Sequence, residues 1–193
     1  SFAEKPSSSI RMNGYAYTYI EPRILSYSLP YLSYLTPFTY GFRENGNLVN
    51  LDDVALISAA EDFGVAPLMH LSTLTENGTF SSERASVLFR SPAAMENLAN
   101  NIVATIQQKS YSGLDIDFEF IPSENAADYA MFIERLRNLL NPLGYPVIAA
   151  LAPKTSAEQS GVLYEGHDYS LIGAAANAVL IMTYEWGYTY GPP

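Results

Sequence analysis

Short apolar runs alternate with amphipathic stretches along most of the chain. GYAYTYI (from Gly14), TPFTYGF (from Thr36), VAPLMHL (from Val65), GLDIDFEFI (from Gly113), PVIAALAP (from Pro146) and AVLIMTY (from Ala178) are rich in β-branched or aromatic residues, and each predicts a strand. Three segments between them carry a helical period. Around 97–108, Met95, Leu98, Ala99, Ile102, Val103 and Ile106 share one face, with Ser91 the expected N-cap and Pro92 the first helical residue. Over 126–140 the face is Tyr129, Phe132, Ile133, Leu136, Leu139 and Leu140, with Ser123 as the expected cap. A third helix is expected over 50–63, stopped by Gly64. Strand and helix in alternation predict a parallel sheet with crossover helices, either an open doubly wound sheet or a (β/α)8 barrel. No GxGxxG or P-loop follows any strand, which weakens the nucleotide-binding version of the open sheet.

One strand breaks the apolar pattern. In GLDIDFEFI, Asp115, Asp117 and Glu119 recur every second residue and so share one face, while Leu114, Ile116, Phe118 and Phe120 take the other. Buried carboxylates this close push at least one pKa upward, an arrangement suited to keeping a protonated acid beside an anionic partner. Ligands of parallel sheets bind beyond the carboxyl ends of the strands, so Glu119 is the acid a substrate reaches first. Two other readings fit the spacing alone: the wet face of an edge strand, and a Mg²⁺ or Ca²⁺ site. The apolar alternate face disfavours the first, and no further oxygen ligands can be placed for the second.

Composition narrows the partners. A net charge of −10 argues against nucleic acid and against a polybasic membrane surface, and no apolar stretch is long enough for membrane insertion. The absence of cysteine removes disulfides, zinc–thiolate sites and cysteine nucleophiles. Fifteen tyrosines with only three lysines suit sugar stacking and hydroxyl bonding, although ordinary strand filling accounts for tyrosine equally well.

The run GLDIDFE resembles the DGxDxDxE signature of glycoside hydrolase family 18, the chitinase family, whose fold is a (β/α)8 barrel. VLIMTYEW (179–186) resembles that family's sixth strand. LAPKTSA (151–157) and MTYEWGYTYGPP (182–193) are similar to a branch of LysM-associated, spore cortex-lytic N-acetylglucosaminidases. The resemblance implies a retaining, substrate-assisted glycosidase that needs no cofactor and no metal. It implies Glu119 as general acid, Asp117 as the group orienting the substrate's acetamido, and Asp115 as the deeper aspartate sharing a proton or hydrogen bond with Asp117. Tyr184 is implied to bond the acetamido oxygen with Met182 beneath it, and Tyr15 to support the aspartate pair. Two positions depart from the family pattern. Ser112 stands where Asp is usual, and Glu185 stands where chitinases have Asp, which shifts the carboxylate near the leaving sugar and favours peptidoglycan over chitin. Trp186 is a candidate for stacking on a sugar face, with core packing as its rival.

His70 and His167 are the only histidines; His70, near the end of the third strand, stands where it could line the cleft, but a structural, hydrogen-bonded role is expected for it. Among Tyr17, Tyr19, Tyr40, Tyr188 and Tyr190, some should line a groove and most should be structural. Lys154, in the loop after the fifth strand, stands where it could touch substrate.

The expected function is hydrolysis of β-linked N-acetylglucosamine in peptidoglycan, outside the cytoplasm and associated with cell wall or spore. Chitin is the alternative substrate, and a catalytically silent carbohydrate-binding relative is the alternative class. Residues 1–10 read as a linker or cut edge, and 11–193 as a catalytic barrel covering strands one to six. Strand starts lie about 33 residues apart, so eight units need more chain than this, near the ~250 residues typical of the barrel. Strands seven and eight are therefore expected to lie in a missing C-terminal segment or to be supplied by a partner, with LysM domains elsewhere in the full-length protein.

Overall fold

The computed structural model describes residues 11–119, 121–151 and 166–181. Its sheet has six parallel strands, β1 (Asn13–Tyr17), β2 (Tyr34–Phe38), β5 (Ala66–Ser72), β6 (Gly113–Asp117), β7 (Val147–Leu151) and β8 (Ala178–Ile181). A two-stranded ribbon, β3 (Gly41–Phe42) and β4 (Leu48–Val49), follows β2. The six strands lie side by side in chain order, with no reversal. A doubly wound sheet reverses its strand order to cover both faces, whereas an unreversed order winds one way, keeps its helices outside and curls into a barrel wall. The architecture is thus a partial (β/α)8 barrel, with β1 and β8 as margins of the sheet among the described residues.

Side-chain alternation separates the two faces. Outward residues Met69, Leu71, Leu114, Ile116, Val147, Ala149 and Leu151 pack under α4 (Pro92–Lys109) and α5 (Ala126–Leu140) in the main core. A smaller core joins Ala16 and Leu35 to α1 (Pro22–Ser28) and α2 (Val54–Asp62) through Leu25, Leu56 and Ala60. The inward face holds Tyr15, Thr36, His70, Ser72, Asp115 and Asp117, where the core is polar.

Helix starts follow local chemistry. The Ser91 hydroxyl accepts the Ala94 N–H at 3.2 Å and Pro92 opens α4, as expected. Ser123 does not cap α5: it begins a 3₁₀ turn, Asn125 precedes the helix, and the Asn125 amide donates to Asp128 at 2.9 Å. The second helix begins at Val54, not at residue 50, and Asp53 precedes it without a side-chain cap bond, its carboxylate held by other partners described below. Gly64, at φ +67°, ends it. The short helices α1, α3 (Ser82–Phe89) and α6 (Tyr169–Ala175) were not among the expected elements.

The ribbon has a job. Gly46, at φ +85°, sits so close to α4 that a Cβ would come within 2.2 Å of the Ala94 carbonyl oxygen. This close approach lets Asn97 and Asn101 bond the ribbon's turn and lets Phe42 stack on Phe118 at 5.4 Å, under the end of β6. No helix among the described residues is long and apolar enough to cross a membrane.

Candidate active site

β6 ends earlier than its apolar pattern suggests. Its last residue is Asp117, paired with Ser72 of β5, and the next peptide leaves the ladder for side-chain partners. The Phe118 N–H donates to the Tyr129 hydroxyl (3.2 Å), and the Phe118 carbonyl accepts from His167 Nε2 (2.7 Å). The Phe118 ring is sandwiched by Tyr129 at 5.3 Å and Phe42. Glu119 therefore follows a clamped residue just past the strand's carboxyl end, where it lines a cavity of about 730 Å³ with Asp117, Tyr15, Phe38, Ser72 and Phe80. Of the three acids in the sequence pattern, two sit in the strand and are buried, and the third is half-buried at its mouth.

The two aspartates have separate partners. The Tyr15 hydroxyl, on β1, donates to Asp115 Oδ2 at 2.7 Å. Asp117 Oδ2 meets His70 Nε2 at 3.0 Å, and the other His70 nitrogen meets the Thr39 hydroxyl at 2.5 Å. No hydrogen bond joins Asp115 to Asp117, and Oδ1 of Asp117 is buried without a hydrogen-bond partner among the described residues. The family resemblance implied a proton or bond shared between the aspartates; in this structure His70 takes Asp117 instead. His70 is buried and hydrogen-bonded, but a lone histidine in an apolar strand gives no sign that its ring will face Asp117.

Burial pushes the Asp115 carboxyl up to about 6, the charge on His70 pulls it down, and Asp117 pushes it up again. The Tyr15 hydrogen bond favours the ionised form, so Tyr15→Phe is expected to move this pKa above about 6. Carboxyl ¹³C titration measures it directly, and a value unchanged or lowered contradicts the assignment. His70 is wholly buried, which disfavours its charged form. The hydrogen bond to Asp117 and the charges of Asp115, Asp117 and Glu119 outweigh that cost and raise its pKa above the ordinary value.

Tyr17 also lines the cavity, near Phe38 (5.3 Å) and stacked on Tyr19 (5.0 Å), whereas Tyr40 is buried outside the barrel wall. Among the described residues no cluster of three histidine, aspartate or glutamate side chains is arranged to hold a metal ion. Tyr184, Met182, Glu185 and Trp186, with Lys154, Tyr188 and Tyr190, lie outside the described residues.

The family model of glycosyl hydrolases family 18 matches residues 17–192. The cortical fragment-lytic enzyme of Bacillus subtilis (strain 168) is 37% identical over 164 residues, which are 85% of this chain and 38% of that protein. The crystal structure of the Bacillus megaterium QM B1551 spore cortex-lytic enzyme SleL superposes with a TM-score of 0.83 at 33% identity, over 94% of this chain and 44% of that one. A chitinase from Chromobacterium violaceum ATCC 12472 shares the fold, with a TM-score of 0.79 at 20% identity over 93% of this chain and 57% of that one. The chain thus spans less than half the length of these cortex-lytic relatives.

Proposed function

This chain belongs to glycosyl hydrolases family 18, and from that premise we propose that it hydrolyses β-linked N-acetylglucosamine in peptidoglycan, with retention and with the substrate's own acetamido group as nucleophile. The observation that carries the reading is the placement of the acids: Asp115 and Asp117 buried in β6, Glu119 past the strand end and open to the cavity. Ordinary retaining glycosidases place a nucleophilic carboxylate ~5 Å from the acid; this family departs from that pattern and uses the substrate instead.

In the first step the Glu119 carboxyl proton passes to the glycosidic oxygen as the C1–O bond breaks. The acetamido oxygen attacks C1 and closes an oxazolinium ring. Positive charge spreads over that ring, which the anionic Asp117 beside it stabilises while accepting the ring N–H. Glu119, now a carboxylate, takes a proton from water, which attacks C1, reopens the ring and restores the acid. Asp115, tied to Tyr15, supports Asp117 from below. Tyr184 is assigned to the acetamido oxygen, with Met182 beneath it, Glu185 near the leaving sugar and Trp186 against a sugar face. The rings of Tyr17, Phe38 and Phe80 at the cavity wall suit the apolar faces of successive sugars.

The cortex-lytic relatives favour a cell-wall or spore-cortex glycan over chitin, and therefore action outside the cytoplasm, in a full-length protein that carries further segments such as LysM domains. The test is digestion of peptidoglycan containing muramic lactam alongside chitin, with product mass spectrometry and the configuration of the new reducing end. Products ending in N-acetylglucosamine with retained configuration are expected, together with resistance of the de-N-acetylated substrate. Efficient cleavage of a glycan that lacks the acetamido group would sink the mechanism.

A further inference from the structure

We propose that His70 is a positioning residue for Asp117: a buried imidazolium, seated on Thr39, that holds one carboxylate oxygen and leaves the other for the substrate's amide. The proposal rests on the reading of Asp117 as the acetamido-orienting group.

A count of protons supports it. The Thr39 hydroxyl has one hydrogen, and two acceptors lie at 3.0 Å, the Ser72 hydroxyl and the Tyr40 carbonyl. Ser72 is 3.3 Å from that same carbonyl and donates to it. In the proposed arrangement Thr39 gives its proton to one of these two and accepts from His70, which places a hydrogen on Nδ1. The contact between Nε2 and Asp117 Oδ2 then needs one more proton, on the ring or on the carboxyl.

The surroundings decide between the two. From β6 and just beyond it the ring faces Asp115, Asp117 and Glu119; from β1, the edge of Tyr15 at 5.4 Å; from the end of β2, Thr39 and Phe38, the latter at 4.9 Å. Arg11, across the cavity, is bonded to Tyr34. Asp117 and Asp115 beside the imidazole, joined by Glu119 whenever it is ionised, favour the charged ring, and its raised pKa agrees. Asp117 is thereby kept anionic, as an oxazolinium partner must be. Its Oδ2 is occupied; Oδ1 has no hydrogen-bond partner among the described residues but is closed off from solvent, so a turn of the carboxylate must bring it to the substrate's N–H.

With only two histidines in the chain, long-range ¹H–¹⁵N spectra read the ring directly. The expected result is protonation of both His70 nitrogens at pH 7, above the ordinary value of about 6.5, and a fall in that pKa in Asp117→Asn. A neutral ring at pH 7, or an unprotonated Nδ1, overturns the proposal. In kinetics, His70→Gln is expected to lower kcat about tenfold with little change in KM. It should also move the acidic limb of kcat/KM up by about one pH unit, because the carboxylates lose their cation. Thr39→Val, which removes only the seat, should shift the limb the same way by less, and it serves if His70→Gln does not fold; Thr39→Ser should restore it. An unshifted limb in a folded variant overturns the role of His70 while leaving the acetamido mechanism standing. Equal hydrolysis of N-acetylated and de-N-acetylated glycans by the unmodified protein removes both.

Discussion

Glu119→Gln is expected to reduce kcat for an N-acetylated glycan by about 10²–10⁴-fold, with KM little changed. Glutamine keeps the shape and can still bond the glycosidic oxygen, but it has no acidic proton to give as the C1–O bond breaks. The same side chain is the base of the second half-reaction, so both steps suffer and the loss should lie toward the upper end of that range. An aryl glycoside separates the steps. Its leaving group departs without protonation, so the deficit in bond cleavage should shrink and the slow hydrolysis of the oxazolinium should dominate. Reducing-end release measures turnover, and calorimetric titration of an oligosaccharide confirms retained binding. A silent carbohydrate-binding protein would bind alike with either residue and release nothing in either form. The enzyme reading is falsified if the unmodified full-length protein releases no reducing ends from any N-acetylated glycan.

The acid run was legible because strand periodicity is strictly local. Asp115, Asp117 and Glu119 two residues apart must share a face wherever the strand sits, and a parallel sheet puts its ligand at the carboxyl end. The barrel was legible from the family resemblance but not from alternation alone, since strand–helix alternation suits both windings until strand order is known. Where the strand stops was not legible. Phe118 looks like another strand residue, and only the fold brings Tyr129 and His167 to its backbone. The same holds for His70 and Thr39, 31 residues apart in the chain and joined only once β2 lies beside β5. The ribbon β3–β4 escaped because two-residue strands have no period to read. Tyr15, 100 residues from Asp115, was found through the resemblance, which carries long-range information that composition and spacing lack.

Removing Asp53 is expected to be strongly destabilising although it lies outside the active site. This carboxylate is fully buried, yet it lies in no strand and touches no substrate cavity. Its Oδ1 receives the Lys109 ammonium at 2.6 Å, and its Oδ2 receives the hydroxyls of Tyr40 (2.5 Å) and Tyr111. Burial, then the bond to Asp53, pushes both phenols above their ordinary pKa, so both remain donors at neutral pH. Asp53→Ala leaves two buried hydroxyls without this acceptor and frees a lysine that is only one-third exposed. Breaking such a buried pair costs about 3–5 kcal/mol, or roughly 10 °C in Tm for a chain of this size. Asp53→Asn retains an acceptor and should cost less. The triple change Asp53→Leu, Tyr40→Phe, Tyr111→Phe removes every unpaired hydroxyl together and should recover much of the loss, since apolar replacement of a whole buried network is often neutral. The effect should also reach the site. The Tyr40 N–H donates to the His70 carbonyl at 3.0 Å, and its own carbonyl receives Ser72, so the ring that Asp53 holds fixes the backbone on which Thr39 and His70 are seated. Thermal unfolding of Asp53→Ala, read beside the His70 titration in the same variant, checks both: an unchanged Tm contradicts the energetic argument, and an unaltered His70 pKa contradicts the link to the site.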